Sequence, residues 1–337
     1  MLAARLYGPQ DLRLEETARP TRPRGGVLIR VEACGLCASD LKMWHQGHKE
    51  LVLPRVLGHE IAGRVLEAEP GCGLGPGRRV QVFPGIACGT CPACRQGMHQ
   101  RCPRVEVLGF SRDGGLATCL ALPAASLALG GVNPLPPELE PATATLAEPL
   151  ACALNALEAA RLAPGERVVI FGAGVMGRLT ALAAQALGAG PTLILEVDPA
   201  RLEGGVAPVL DVSAGFAPGE IWECLGGPAQ VAVPACRDPR AVDQGLELLA
   251  PGGRVVLFSG LEESRRELDL NRLHYRELSL CGAYGCNAGQ NRRALEILAR
   301  HREAARGLIA HRLPLHRVQE AFTLAAAGPP GKIVIHP

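Results

Sequence analysis

Residues 167–177 read Arg-Val-Val-Ile-Phe-Gly-Ala-Gly-Val-Met-Gly, an apolar β-type run that breaks into G-x-G-x-x-G. An Ala/Leu-rich stretch with helical texture follows to about Leu187. The motif alone is weak, but between a strand and a helix it has a mechanism. Gly172 allows the tight turn, Gly174 lets the backbone approach a pyrophosphate, and Gly177 lets helix and strand pack closely. The helix start at Val175 and Met176 adds unpaired N–H groups and partial positive charge for the phosphates. A second strand, Pro191 to Val197, carries Glu196 near its end. A carboxylate there accepts hydrogen bonds from the ribose hydroxyls and repels a 2′-phosphate, which favours NAD over NADP. Asp198, just before Pro199, reads as a cap. Arg201 lies near enough to keep NADP as the lesser option.

Outward from this stretch the texture is βαβ. Strands at Gln230 to Val233 and Arg254 to Phe258, with a helix over Ala241 to Leu249, imply a parallel sheet covered on both faces. Upstream, Glu148 to Arg161 reads as a helix ended by Pro164-Gly165. From Met1 to about Leu146 the chain shows short β-type runs such as Val27 to Glu32, broken by Gly and Pro clusters. That pattern predicts a twisted antiparallel or barrel-like β domain. The uncharged stretch Gly115 to Val132 is too short and broken for a membrane helix and reads as two buried strands around a turn. After about Ser279, helices are expected at Asn291 to Arg302 and Val318 to Ala327, with a closing strand at Lys332 to Ile335.

At 337 residues the chain has room for about two domains. A net charge of +2 and 3% aromatic residues give no electrostatic footprint for nucleic acid and no stacking platform. No membrane partner is implied either, and no apolar leader is visible at the N-terminus, so the cytoplasm is the default compartment.

Cys88, Cys91, Cys94 and Cys102 stand at C-x2-C-x2-C-x7-C. Four soft thiolates on one short stretch suit a closed, tetrahedral, structural zinc. A disulfide framework belongs to short secreted chains. An iron–sulfur cluster is the nearer rival, since Pro103 follows Cys102, but the last spacing of seven does not suit the ferredoxin run. Elsewhere, Cys37, the pair His59-Glu60 and Glu148 each have a bland reading as a buried thiol, a capping imidazole and a helix-start carboxylate. Together they supply a thiolate, an imidazole and one or two carboxylates, a set that suits a catalytic zinc with an open position. Such an ion acidifies a hydroxyl, and a nicotinamide accepts the hydride of the resulting carbinol carbon.

With these motifs in place the chain resembles the zinc-dependent medium-chain alcohol dehydrogenase family over nearly its whole length, closest to the sorbitol/polyol dehydrogenase-like branch. The resemblance implies a GroES-like β-barrel catalytic domain over 1–147 and 288–337, with a zinc lobe at about 85–105. A Rossmann domain with a doubly wound parallel sheet is implied over 148–287. It also implies two zinc ions per chain, one catalytic at Cys37, His59 and Glu148 and one structural at the cysteine tetrad. Glu60 matches an adjacent acid that ligates or supports the metal, and Ser39 a hydroxyl that passes the substrate proton outward. The implied reaction is oxidation of a secondary alcohol (a polyol, sugar alcohol or cyclitol) to a ketone with NAD, by a homodimer or homotetramer. A threonine- or aminocyclitol-type dehydrogenase is the alternative within the family, and a non-catalytic NAD- and zinc-binding regulator the alternative outside it. Three departures stand out. Lys42 occupies the place of a relay histidine, and lysine, with an ordinary pKa of about 10.4, is the poorer shuttle. Val233-Pro234-Ala235-Cys236-Arg237 replaces a segment that usually carries an acid and a glycine. The connection from Glu203 to Trp222 is short enough to abbreviate or remove one helix.

Overall fold

The computed structural model describes residues 1–261, 265 and 267–337. The chain forms two compact units, one of Met1–Glu148 with Cys286–Pro337 and the other of Pro149–Gly285.

In the first unit Val27–Gly35 is the central strand. It pairs antiparallel with Glu60–Ala68, Cys119–Leu122 and the C-terminal Lys332–His336. Lys332–His336 in turn pairs in parallel with Ile309–Pro314. Val27, Ile29 and Val31 point into the core, Leu28 is buried on the opposite face, and Arg30 is exposed. The sheet wraps a core that includes Leu6, Met43, Leu57, Ile61, Leu116 and Phe322. Helix α1 (Ala38–Gln46) leaves this sheet directly after the central strand, and helix α2 (Ala147–Ala159) begins at the end of the unit. Residues 115–132 differ from two strands around a simple turn. After Cys119–Leu122 the chain forms a short helix, Ala124–Ala128, before the strand Val132–Pro134. Pro123 sits at its N-cap, and Ala-Ala-Ser-Leu-Ala has the propensity to complete a helical turn.

The second unit is a six-stranded sheet in which every pairing is parallel. Its strands are β1 (Val168–Phe171), β2 (Thr192–Glu196), β3 (Val209–Asp211), β4 (Ala229–Pro234), β5 (Leu249–Leu257) and β6 (Ser279–Gly282). Their order, β3-β2-β1-β4-β5-β6, is that of a Rossmann sheet, and it puts the glycine turn after β1 at the central switch point. Val169, Phe171, Leu193 and Leu195 pack on one face with Ile221, Leu225, Val242 and Leu246 from the helices Pro218–Leu225 and Arg240–Leu248. Ile170 points the other way, toward Gly177 at the start of helix α3 (Val175–Ala186).

The connection from β2 to β3 has no α-helix. It holds only a 3₁₀ turn, Pro199–Arg201, followed by Gly204 and Gly205 at φ +81° and +103°. The side chain of Arg178 in α3 is buried and fills the space beneath this connection. Its guanidinium donates to the carbonyls of Ala173 (2.8 Å), Arg201 (2.6 Å), Glu203 (2.6 Å) and Gly204. Among the described residues, no helix is long and apolar enough to cross a membrane.

Arg178→Met keeps the apolar stem but leaves these carbonyls without their donor. Stability is expected to fall by about 2 kcal/mol, lowering Tm by roughly 5 °C in a thermal melt. An unchanged Tm would show that the connection holds without its arginine.

Candidate metal and cofactor sites

The thiols of Cys88, Cys91, Cys94 and Cys102 all lie within 4.8 Å of one another. Cys91 caps the short helix Pro92–Arg95, and a 3₁₀ turn at His99–Arg101 carries the chain back to Cys102. The sulfurs of Cys88 and Cys94 stand 3.9 Å apart. That is far beyond a disulfide but matches two ligands of a tetrahedral ion, since Zn–S bonds of about 2.3 Å put sulfurs about 3.8 Å apart. Backbone N–H groups point at the sulfurs, from Cys91 to Cys88 (3.4 Å) and from Arg104 to Cys102 (3.4 Å). Contacts from Thr90 and the Cys91 N–H lower the pKa of Cys88, while burial raises that of Cys94. Ionising the whole tetrad therefore calls for a cation at its centre.

The second cluster is built around the start of α1. Cys37 is the N-cap of that helix, and its N–H donates to Asp40 Oδ2 at 2.9 Å. The other oxygen of Asp40 accepts the Gly58 N–H at 3.2 Å and faces His59 Nδ1 at 3.5 Å. Gly58 has φ +90°, and a Cβ there would lie 2.6 Å from Cys34 Sγ, so the turn that presents His59 requires glycine. Glu60 follows at the start of its strand and is fully buried. Its Oε1 accepts Lys332 Nζ at 2.6 Å, and the same ammonium donates to Leu36 O at 3.1 Å. Gly35 makes room for the carboxylate, for a Cβ there would sit 2.1 Å from Oε2.

Cys37, His59 and Glu60 bring one sulfur, one nitrogen and one oxygen within 4.8 Å of each other. Glu60 Oε2 is buried without a hydrogen-bond partner. Burial disfavours charge on His59, but Asp40 and Cys37 outweigh it and raise its pKa well above the ordinary value. For Lys332 burial also opposes the charge, and Glu60, Cys37 and Glu148 outweigh it. With Cys37 ionised and His59 neutral, as a metal ligand must be, three anions (Cys37, Asp40, Glu60) face one cation (Lys332), a deficit that a divalent ion cancels. The donor set fits zinc with a position left for another ligand. Glu148 falls in a different group, its carboxylate within 4.8 Å of the Cys286 thiol. Ser39 does join the cluster, its Oγ 3.4 Å from His59 Nε2. Lys42 is one turn further along α1 and exposed. Asp40 and Lys332 escaped the sequence reading. The signal for Asp40 was an acid three residues after a candidate N-cap; for Lys332 it was a lone charge at the head of an apolar closing strand.

In the second unit Gly172 has φ +101°, and a Cβ on Gly177 would lie 1.8 Å from Gly172 O. Gly174 is the N-cap of α3, and the first N–H groups of Val175, Met176 and Gly177 have no acceptor within the helix. Glu196 is buried and folds back on this turn. Oε2 accepts the Ala173 N–H at 2.6 Å, and Oε1 accepts those of Val197 and Asp198 at 2.7 and 2.9 Å. A carboxylate offers about four lone-pair positions, so one remains for a ribose hydroxyl. Asp198 caps the 3₁₀ turn through the Ala200 N–H and pairs with Arg201 at 3.2 Å. The Arg201 guanidinium lies over Gly174, while Arg237, beyond β4, is exposed. The cradle fits a dinucleotide pyrophosphate, which a side chain at Gly174 would obstruct.

Residues 23–131 match the family model for the alcohol dehydrogenase GroES-like domain, and residues 175–300 that for zinc-binding dehydrogenases. The chain is 30% identical to the L-galactonate-5-dehydrogenase of Escherichia coli K12, over 93% of this chain and 92% of that one. It is 31% identical to the L-threonine 3-dehydrogenase of Pyrococcus abyssi, over 97% and 95%. The structure of 2R,3R-butanediol dehydrogenase from Bacillus subtilis superposes with a TM-score of 0.89 at 26% identity, covering 100% of this chain and 99% of that one. This chain belongs to the zinc-dependent medium-chain alcohol dehydrogenase family. It is an NAD(P)-dependent oxidoreductase of that zinc-containing class.

Cys94→Ser in the lobe is expected to remove one equivalent of zinc per chain, measured by elemental analysis. It should lower Tm by roughly 5 °C or more, because a structural metal is part of the folding energy. Unchanged zinc content would show that the tetrad holds no metal.

Proposed function

We propose that this dehydrogenase oxidises a secondary hydroxyl of a polyol or sugar-acid substrate to a ketone, with NAD as the preferred acceptor. Catalytic zinc is assigned to Cys37, His59 and Glu60, with Glu148 as the further carboxylate available to it. The observation that carries the assignment is the buried Cys37–His59–Glu60 cluster, with the Glu60 Oε2 lone pairs free inside it. Relatives named for galactonate, altritol and sorbitol support the substrate class, and those named for threonine support an amino-acid alcohol as the second reading.

When bound, zinc supplies Lewis acidity that makes a hydroxyl proton easier to remove. The chain's own residues do the rest. Asp40 faces Nδ1 of His59, which keeps the proton on that nitrogen and leaves the Nε2 lone pair for the metal. Ser39 Oγ, next to Nε2, accepts the substrate proton and passes it along α1 toward solvent. Gly172, Gly174 and the start of α3 hold the pyrophosphate, and the Glu196 carboxylate repels a 2′-phosphate. An assembly of two or four subunits and a cytoplasmic setting complete the reading. Among the described residues β6 is one of the sheet's two edge strands and pairs on one side only, with Tyr284 exposed beside it, which supports the assembly.

A panel of alditols, aldonates, vicinal diols and L-threonine, assayed as nicotinamide reduction, is expected to show turnover on the polyol-type members. No turnover by zinc-loaded protein with either cofactor would refute the reading. Cys37→Ser should cost at least about a hundredfold in kcat with the fold intact by circular dichroism. Glu196→Gln removes the charge but not the size and should lower the NAD-over-NADP preference about tenfold in kcat/KM. An unchanged preference would mean that Glu196 serves only the turn.

A further inference from the structure

Of the 35 basic side chains in this sequence only three are lysines: Lys42, Lys49 and Lys332. Lys332 is the buried partner of Glu60. The other two line one cleft of about 640 Å³ together with Gln46, Gly47 and His48. All of these belong to the end of α1 and the turn after it, within the first unit.

The cleft is joined to the metal cluster by two routes. Along α1, Ser39, whose hydroxyl lies beside His59, and Lys42 are spaced three apart and share a face, with about 4.5 Å of helix rise between their backbone positions. Across the fold, the Phe110 ring contacts both His59 and His48, with centroids 5.4 Å away in each case. Phe110 thus packs between one imidazole of the metal cluster, His59, and one of the cleft, His48. His48 Nδ1 accepts the Glu50 N–H at 3.2 Å, which leaves the ring proton on Nε2 as a donor. Lys42 and Lys49 are exposed, and neither is held in an ion pair among the described residues. Two uncommitted ammonium groups and an imidazole N–H thus line the same cleft, donors of a kind that an anionic end group accepts from. In a chain that otherwise uses arginine, lysine here supplies a compact point charge on a flexible stem, suited to a small anionic end group rather than to a fixed fork.

We propose that this cleft is an anion subsite: Lys42, His48 and Lys49 receive a carboxylate or phosphate carried by the substrate, a few carbons from the hydroxyl that is oxidised. The inference rests on the polyol or sugar-acid reading above and narrows it to the charged members. The subsite selects by KM, because the anion is bound equally before and during hydride transfer.

The test compares an alditol, the matching aldonate and the matching alditol phosphate on zinc-loaded enzyme, wild type and Lys49→Gln. Wild type should favour a charged substrate by at least about tenfold in kcat/KM. Lys49→Gln should raise the KM of that substrate several-fold with kcat retained, and Lys49→Arg should restore most of the loss. KM for the alditol and the NAD dissociation constant, read by fluorescence titration, should not move. Preference for the aldonate identifies the anion as carboxylate, and preference for the phosphate ester identifies it as phosphate. Equal use of the alditol, with Lys49→Gln silent, overturns the subsite and leaves the dehydrogenase reading standing. Weakened NAD or NADP binding in Lys49→Gln, with substrate KM unchanged, also overturns it, since the cleft would then serve the cofactor. If no member of the panel is oxidised, the polyol reading itself falls and the subsite with it.

Discussion

One buried carboxylate organises the catalytic unit. Asp40 accepts the N–H of Cys37, accepts the N–H of Gly58 and faces the His59 imidazole. Three contacts from one side chain fix where α1 starts, how the Gly58 turn approaches it and which way Nδ1 of His59 faces. Cys37 and His59 are 22 residues apart in sequence, and no other local rule makes their ligand atoms meet. A buried charge is costly unless it is fully engaged, and here every contact also positions a ligand. The cost of burying Asp40 is therefore recovered as preorganisation of the site.

A comparable constraint operates in the cofactor unit. The β2–β3 crossover is near the shortest that a parallel pair allows, about a dozen residues, and it dispenses with an α-helix. Removing a helix leaves backbone carbonyls that need donors. Arg178 answers that need with a planar fork, and because it also binds Ala173 O, the shortened loop and the glycine turn share one anchor. Glu196 closes the same turn from the other side through the Ala173 N–H. Ala173, between two motif glycines, is thus held at both its donor and its acceptor.

What was legible in the sequence was what local chemistry encodes. The glycine turn, the cysteine spacing, the β-type run Val27 to Glu32 and the cap at Asp198 each depend on residues a few positions apart. The shortened crossover was legible only in part: the sequence suggested a short connection at Glu203 to Trp222, but that span holds β3 and the start of the helix Pro218–Leu225, and the helix-free link is 197–208. Lys332 was not: its partner Glu60 lies 272 residues away and only the fold brings them together. The short helix at Ala124–Ala128 was missed because an uncharged stretch has no hydrophobic period to tell a strand from one helical turn. Glu148 and Glu60 both stood as carboxylates near His59 in the sequence reading. The structure groups Glu60 with Cys37 and His59, and Glu148 with Cys286; the path of the chain through helix starts and loops decides this, and motif spacing does not report it.

The choice of lysine at position 332 follows from the same geometry. Glu60 combines two features: a counter-charge while buried, and a second oxygen without a hydrogen-bond partner that lies beside Cys37 and His59. An arginine fork binds a carboxylate through two parallel N–H bonds and tends to occupy both oxygens. An ammonium is a point donor. Lys332 bonds Oε1 alone, spends a second proton on Leu36 O, and leaves Oε2 without a partner. The absent Cβ of Gly35 makes room on that side. Replacing such an ion pair with apolar residues is often neutral for stability, so packing alone does not account for it. Its arrangement is accounted for by what it leaves open, one carboxylate oxygen, buried and unpaired, beside Cys37 and His59.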